Sequence, residues 1–292
     1  MLFIRPDLQK LLGSYTFEDF FALDGEVYRD QQQTGRCTKR VVIGGLPFFI
    51  KMHTGCGWQE ILKNLLCFKK PITSAAHEYR ALEKLPRLGI NTTPLAAYGR
   101  VGLNPARTKS FVLTESLEDS ESLESFVPRF FAEPDTTFKQ SIKNAVTNNI
   151  ADIARNLHTN NLYHRDFYLC HFHIDLPDGE DSLSPENVRL YLMDLHRLTH
   201  SRLLSGRYCK KDIAGLYFSI LDTPLTKKDW GRFIKQYTKS KSLRDAVHIP
   251  GTKFWETVHR RGLRLYQRVT GRGSPLKASC FSADKQENTS TL

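Results

Sequence analysis

Long apolar runs are missing from this 292-residue chain. No stretch approaches the ~20 consecutive apolar residues needed to cross a bilayer, which excludes a membrane-spanning helix. The first residues lack a charged segment followed by a long apolar core, so no secretory signal is expected. The six cysteines (Cys37, Cys56, Cys67, Cys170, Cys209, Cys280) are scattered and include no C-x-x-C pair. That argues against a disulfide frame or a structural zinc site and fits reduced thiols in a cytosolic compartment. No internal repeat is present, which excludes a solenoid. Acid is scarce in the last third: residues 201–277 hold 18 Lys and Arg against 5 Asp and Glu, in a chain whose net charge is +11. The remainder is therefore slightly acidic. A positive excess confined to one region suggests an anionic partner: a phosphate-bearing glycolipid, an anionic membrane surface, nucleic acid or an acidic protein. A solvated basic helical face is the plainer alternative.

What is present is ordinarily globular. Hydrophobic residues make up 40% and charged residues 25%, enough for one large domain or two modest lobes with a core. The first part is rich in strand signals. Residues 26–29 read as a strand, and the runs 40–43 and 47–51 flank Gly44-Gly45, a strong hairpin signal, with Lys51 ending the second run. Trp58, Ile61, Leu62, Leu65 and Leu66 recur at helical spacing and predict a helix stopped by Pro71. Thr73 or Ser74 is placed to cap the next helix, which carries Glu78, and 111–114 reads as another strand. The second part reads as helical: one long helix over 138–158, then 212–221, 228–237, 242–247 and 253–269. The expected architecture is α+β and two-lobed. Its parts are a small β-rich N-lobe (1–115), a larger helical C-lobe (116–272) and a polar, disordered tail (273–292).

Between the helical segments lie two carboxylates on one predicted hairpin. Asp166 stands in Tyr163-His164-Arg165-Asp166, and Asp194 follows the β run 188–193, with a turn-rich loop between. A His-Arg-Asp loop followed by a second acid is how protein-kinase-like enzymes supply a base and hold magnesium. On this reading Asp166 accepts the proton of the acceptor hydroxyl, Arg165 braces the loop, and His164 is a packed structural residue. Asp194 suits a magnesium ligand at the phosphates of ATP, although Asp194-Leu195-His196 departs from the usual Asp-Phe-Gly. Five residues after Asp166, where such loops carry a metal-binding Asn, stands His171. Magnesium prefers oxygen, so three readings stay open: a histidine ligand, a contact to a phosphate oxygen, or a water in place of that ligand.

Lys51 on a strand and Glu78 on a helix, 27 residues apart, fit the clamp on the α- and β-phosphates. No G-x-G-x-x-G precedes Lys51, and Thr34-Gly35-Arg36-Cys37 is a weak phosphate lid. Thr114, Glu115 and Ser116 follow a strand and are expected to form the hinge whose backbone pairs with adenine. Asp212 is expected to open a helix and support the catalytic loop, or simply to cap that helix. Only 18 residues separate it from Asp194, with no Ala-Pro-Glu between. That leaves no platform for a peptide and favours a small-molecule or glycan acceptor. A zinc site among His164, Asp166, Cys170, His171, His173 and His196 is disfavoured, because on a strand Cys170 points away from His171 and His173.

Taken together, His164-Arg165-Asp166-x-Tyr168-x-Cys170-His171-Phe172, Asp194-Leu195-His196-Arg197, and Lys211-Asp212 with Gly215-Leu216-Tyr217-Phe218-Ser219 resemble the lipopolysaccharide core heptose(I) kinases of Gram-negative bacteria (the RfaP/WaaP family). The resemblance covers most of the chain, and His171 looks like that family's usual residue. It implies a protein-kinase-like fold and ATP-dependent, Mg2+-assisted phosphorylation of the first heptose of the inner core. It also implies a heptose-Kdo-lipid A acceptor at the cytoplasmic face of the inner membrane. Under it the basic third meets an anionic acceptor, an anionic membrane surface or an acidic protein, and nucleic acid drops out. The helix from Trp58 to Phe68 either docks shallowly at the bilayer, meets a partner, or packs on the N-lobe sheet. The rival expectations are a kinase of another core sugar such as Kdo, and a degenerate kinase fold that binds or assembles glycolipid. Intact Lys51, Glu78, Asp166 and Asp194 weigh against the second.

Overall fold

The computed structural model describes residues 1–31, 35–66, 71–133 and 136–272, and the tail expected over 273–292 lies outside them. The chain forms two compact units. The first comprises Met1–Glu121 together with His173–Glu180 and Leu190–His200. Its centre is an antiparallel sheet of six strands: β1 (Leu2–Ile4), β2 (Glu26–Gln31), β3 (Arg36–Ile43), β4 (Leu46–His53), β5 (Leu95–Val101) and β6 (Lys109–Glu115). Their order is β1-β5-β6-β4-β3-β2. The turn between β3 and β4 is Gly44-Gly45, with φ of 57° and 82°. Two successive positive φ values make the tight turn whose twist matches antiparallel strands, and glycine takes them without a Cβ clash. The register that follows pairs Thr38 with Lys51 and Arg36 with His53. Strand β4 runs two residues beyond Lys51, further than the sequence suggests, because His53 still pairs with Arg36 and Ser110.

Short helices α1 (Gln9–Leu12) and α2 (Phe17–Ala22) cover this sheet, α2 held by a Thr16–Asp19 capping box. Leu12, Phe20, Phe48, Ile50, Ala96, Phe111 and Leu113 form a core closed to solvent. Helix α3 spans Gly57–Leu66 and α4 spans Ala76–Lys84. The cap expected from Thr73 or Ser74 is displaced: Ala75 holds the N-cap position without a side-chain bond, and Ser74 Oγ accepts from the Ala76 amide at 3.4 Å. Glu78 falls in the first turn of α4 and is buried. The expected hairpin is present, since β7 (Phe172–Asp175) and β8 (Leu190–Leu192) are hydrogen-bonded neighbours, and Asp194 lies two residues beyond β8.

The second unit comprises Ser122–Phe172, Asp181–Arg189 and the chain from Ser201 onward. Helix α5 (Leu123–Phe130) leads to α6 (Thr137–Thr159), which Thr136 caps by accepting from the Lys139 amide at 3.1 Å. Along α6 the buried Ile142, Val146, Ile150, Ala154 and Leu157 recur at three- and four-residue steps, the spacing of one helix face. Then follow α7 (Ser205–Ile220), α8 (Lys227–Thr238), α9 (Leu243–His248) and α10 (Thr252–Thr270). Helix α7 begins two turns before the expected start at Asp212. Asp212 is thus an interior residue, fully buried, and not an N-cap. Gly262 lets α10 lie against α7, since a Cβ there would stand 2.6 Å from the Tyr217 ring and 3.2 Å from the Ala214 carbonyl.

Candidate active site

In the first unit, the pleat places Arg36, Thr38, Lys51 and His53 on one face of the β3–β4 ribbon, because paired residues and every second residue share a side. Lys51 Nζ lies 2.5 Å from Glu78 Oε1 and 3.7 Å from Asp194 Oδ1. Burial works against the Lys51 charge, but the two carboxylates outweigh it and hold its pKa above the ordinary value. Glu78 is nearly closed to solvent, and its Oε2 has no hydrogen-bond partner among the described residues. The predicted pair is therefore formed, with Asp194 as its third member.

Asp194 sits in the left-handed region (φ 53°, ψ 59°), which turns the chain sharply after β8. Its Oδ1 also bonds His196 Nδ1. Burial, and then the nearby Arg36, His196 and Lys51, push the His53 pKa down to about 3, so His53 is a neutral ring beside the charged Arg36 and Lys51. Burial likewise pulls the Arg36 pKa down. Its Nη2 donates to the Ile72 carbonyl at 3.4 Å, while its Nε is buried with no hydrogen-bond partner among the described residues. An unpaired buried guanidinium N–H costs free energy unless an anion takes it. Arg36, His53 and His196 were missed as neighbours of Lys51. The signal for two of them was available, because counting outward from Gly44-Gly45 pairs Thr38 with Lys51 and Arg36 with His53.

The expected hinge residues end β6. Thr114 pairs with Phe49, and the amides of Glu115 and Ser116 donate to the carbonyls of Pro94 and Pro47 at 3.0 and 3.1 Å. Glu115 also bonds Arg5 through its side chain. The N–H groups of Glu115 and Ser116 are thus committed within the unit, and carbonyl groups are what these two could present to a base.

The second unit builds a different cluster. Asp212 receives two backbone N–H groups, from His164 at 2.8 Å and from Arg165 at 2.7 Å. His158 Nε2 stands 3.5 Å from the same carboxylate, and its Nδ1 lies 2.9 Å from the Tyr237 hydroxyl. Burial opposes charge on His158, yet Tyr237 and then Asp212 carry its pKa well above the ordinary value. Arg165 occupies the left-handed region (φ 73°), a conformation costing on the order of 1–3 kcal/mol for a non-glycine residue. It is held there from three sides. Its amide is on Asp212, its carbonyl accepts from Lys211 Nζ, and its guanidinium lies over the Tyr208 ring at 5.6 Å.

This turn projects Asp166, whose side chain is 18% exposed and whose Oδ1 lies 3.5 Å from Lys211 Nζ. The loop closes on itself after Asp166. The Asp166 carbonyl accepts from the Tyr168 amide at 3.1 Å and from His171 Nδ1 at 2.6 Å. Leu169 N donates to Ser219 Oγ at 3.1 Å, and Gly215 leaves room for the Phe167 carbonyl, which a Cβ would meet at 3.1 Å. His164 is fully buried and packs on His171 with ring centroids 5.5 Å apart. Lys211 stands beside Asp166, His158 beside Asp212, and Ser219 on the Leu169 amide; the sequence motifs include Lys211 and Ser219 without giving them these roles, and His158 is in none of them.

These geometries bear on magnesium. Asp194 offers a hard carboxylate at a partly exposed position beside a lysine, the donor type magnesium favours. His171 fits poorly. Its Nδ1 is spent on the loop carbonyl, which leaves a single ring nitrogen, a donor this ion does not prefer. Among the described residues no three His, Cys, Asp or Glu side chains converge as a metal cage would require.

The model of the lipopolysaccharide kinase (Kdo/WaaP) family matches residues 18–237. A lipopolysaccharide core heptose(I) kinase WaaP of Pseudomonas aeruginosa is 37% identical over 259 residues, covering 88% of this chain and 92% of the relative. The protein so described from Escherichia coli K12 is 32% identical over 261 residues, covering 86% and 95%. A solved structure described as WaaP in complex with acyl carrier protein superposes with a TM-score of 0.73 at 30% identity, over 91% of this chain and 99% of that one. The fold is α+β and two-lobed, as expected. The chain belongs to the lipopolysaccharide kinase (Kdo/WaaP) family.

Proposed function

We propose that this chain transfers the γ-phosphoryl group of ATP to a hydroxyl of heptose I in the lipopolysaccharide inner core. The observation that carries phosphoryl transfer is the Lys51–Glu78–Asp194 cluster, with Lys51 Nζ 2.5 Å from Glu78 Oε1 and 3.7 Å from Asp194 Oδ1. The choice of acceptor is supported by relatives at 32–37% identity that are named heptose(I) kinases.

On this reading Lys51, held by Glu78, binds the α- and β-phosphates, and Arg36 adds a second cation on the same face. Asp194 holds magnesium, which when bound neutralises charge on the phosphate oxygens. Thr114, Glu115 and Ser116 face the adenine. Asp166 accepts the proton of the sugar hydroxyl. The hydroxyl oxygen forms the new bond to the γ-phosphorus as the bond to the bridging oxygen of ADP breaks, its electron pair leaving on ADP. Lys211, 3.5 Å from Asp166 Oδ1, orients that carboxylate. His171 shapes the loop from behind.

Two surfaces supply the setting. Helix α3 exposes Trp58, Leu62, Leu65 and Leu66, half or more of each, while Ile61 packs inward. Such a face suits shallow docking at the cytoplasmic side of the inner membrane, and no helix among the described residues is long and apolar enough to cross it. The expected end of this helix at Phe68 lies outside the described residues. Lys227, Lys228, Arg232 and Lys235 of α8, with Lys239 just beyond it, line a basic hollow that suits an acidic protein, and the similar solved structure is described with acyl carrier protein.

The test is a mass spectrum of core oligosaccharide from cells with and without this protein. One phosphate is expected to disappear from the first heptose. Loss of phosphate from Kdo or another core sugar would instead establish a different sugar kinase, and an unchanged core would leave a non-catalytic fold.

A further inference from the structure

The positive face of α10 is not used by any step above, and it lines a cavity of about 500 Å³ in the second unit. Arg260, Arg261, Arg264 and Arg268 line it from α10, and Lys211 and Tyr168 line it from the side of the catalytic loop. Among the described residues, five cations and no carboxylate border the space. All four arginines are exposed, and none forms an ion pair with another described residue. Arg260, Arg264 and Arg268 recur every four residues, spanning about 12 Å of helix, where like charges repel. The opposite face of α10 is buried through Phe254, Trp255, Val258, Gly262 and Tyr266, and the close approach at Gly262 fixes the helix against α7. The guanidinium groups are therefore presented from a rigid support, at a cost that a bound anion offsets.

Position decides which anion. Lys211 belongs to the cavity wall and also stands 3.5 Å from Asp166 Oδ1, with its Nζ donating to the Arg165 carbonyl. The cavity and the base therefore share a side chain within one compact unit. We infer that this cavity is an acceptor subsite that binds an anionic group, carboxylate or phosphate, attached to the acceptor away from the reacting hydroxyl. The inference rests on the kinase reading above and adds to it a residue-level basis for acceptor choice. Arginine suits both groups, because its planar fork pairs bidentately with either.

The test uses the full chain and a delipidated, water-soluble heptose-bearing core oligosaccharide, so that membrane attraction plays no part. Steady-state kinetics are compared for wild type, Arg260→Gln/Arg261→Gln and Arg264→Gln/Arg268→Gln. The acceptor KM is expected to rise by roughly tenfold or more in each double variant, with kcat at saturation and the KM for ATP near wild type. Two further acceptors identify the anion, one dephosphorylated and one with its carboxylates reduced. The modification that removes the true ligand raises the wild-type KM and leaves the variants unmoved.

An unchanged acceptor KM in both variants, with wild-type transfer to heptose intact, overturns this inference and leaves the kinase reading standing. It is equally overturned if the variants lose only retention of an acidic protein, or only activity on acceptor embedded in anionic vesicles. Wild-type protein that transfers no phosphate to heptose overturns the kinase reading itself, and this subsite with it.

Discussion

Asp166→Asn is expected to lower kcat by roughly 10²- to 10⁴-fold, the range of a lost general base, while the fold and the KM for ATP stay near wild type. The expectation follows from how the loop is built. Its shape depends on the main chain of Asp166, whose carbonyl takes the Tyr168 amide and His171 Nδ1, and on the Asp212 contacts to His164 and Arg165. None of these bonds involves the Asp166 carboxylate. An amide of the same shape keeps them all and loses the ability to take a proton at neutral pH. Lys211, 3.5 Å away, loses a charge partner but keeps the Arg165 carbonyl. Single-turnover transfer from γ-labelled ATP to core acceptor, with a thermal melt in parallel, is the measurement. Wild-type-like turnover would remove Asp166 from the chemistry.

Asp212→Ala is expected to have the largest effect on stability, about 3–5 kcal/mol in chemical denaturation, as for breaking a buried charged network. The buried His164 amide and the part-buried Arg165 amide lose their acceptor at once, and a buried group so orphaned costs about 1–3 kcal/mol. The loss also has a pH signature. The folded pKa of His158 is raised above 6.5, so its ion pair with Asp212 contributes fully below that value. The contribution fades as pH rises through the raised folded pKa. The stability gap between wild type and Asp212→Ala should therefore be widest in mildly acidic solution and narrow toward alkaline pH. A gap under about 1 kcal/mol, or one that widens with rising pH, would contradict the anchoring role given to Asp212.

Much of this was legible in the chain, because its signals are local. Gly44-Gly45 announced a tight turn, and with it the register that carries Lys51. The helical periodicity of 138–158 matched α6 to within a residue at each end. Lys51 and Glu78 could be paired by order alone, since a strand lysine and a helix acid 27 residues later have one well-known use. What stayed hidden depends on long-range approach. Lys211 reaches the Arg165 carbonyl only because α7 begins at Ser205 and turns that face toward the loop. The Asp212 cap reading failed for the same reason, because the first two turns of α7 lack an apolar stripe and are held by contacts such as Tyr208 beneath Arg165. His171, at the position where such loops carry a metal-binding Asn, closes the loop through Nδ1 on the Asp166 carbonyl, a contact set by the folded loop and not by the local sequence pattern. The arginine spacing of α10 was visible in the sequence, but its neighbourhood to Lys211 was not.

One measurement tests heptose phosphorylation most directly. Purified protein is incubated with ATP, Mg2+ and delipidated core acceptor, and the product is examined by phosphorus–proton correlation NMR. The expected result is a new phosphorus resonance coupled to a ring proton of the heptose attached to Kdo, absent when Asp166→Asn replaces wild type. A phosphorus coupled to Kdo or an outer sugar, or no transfer by the wild-type protein, would contradict it.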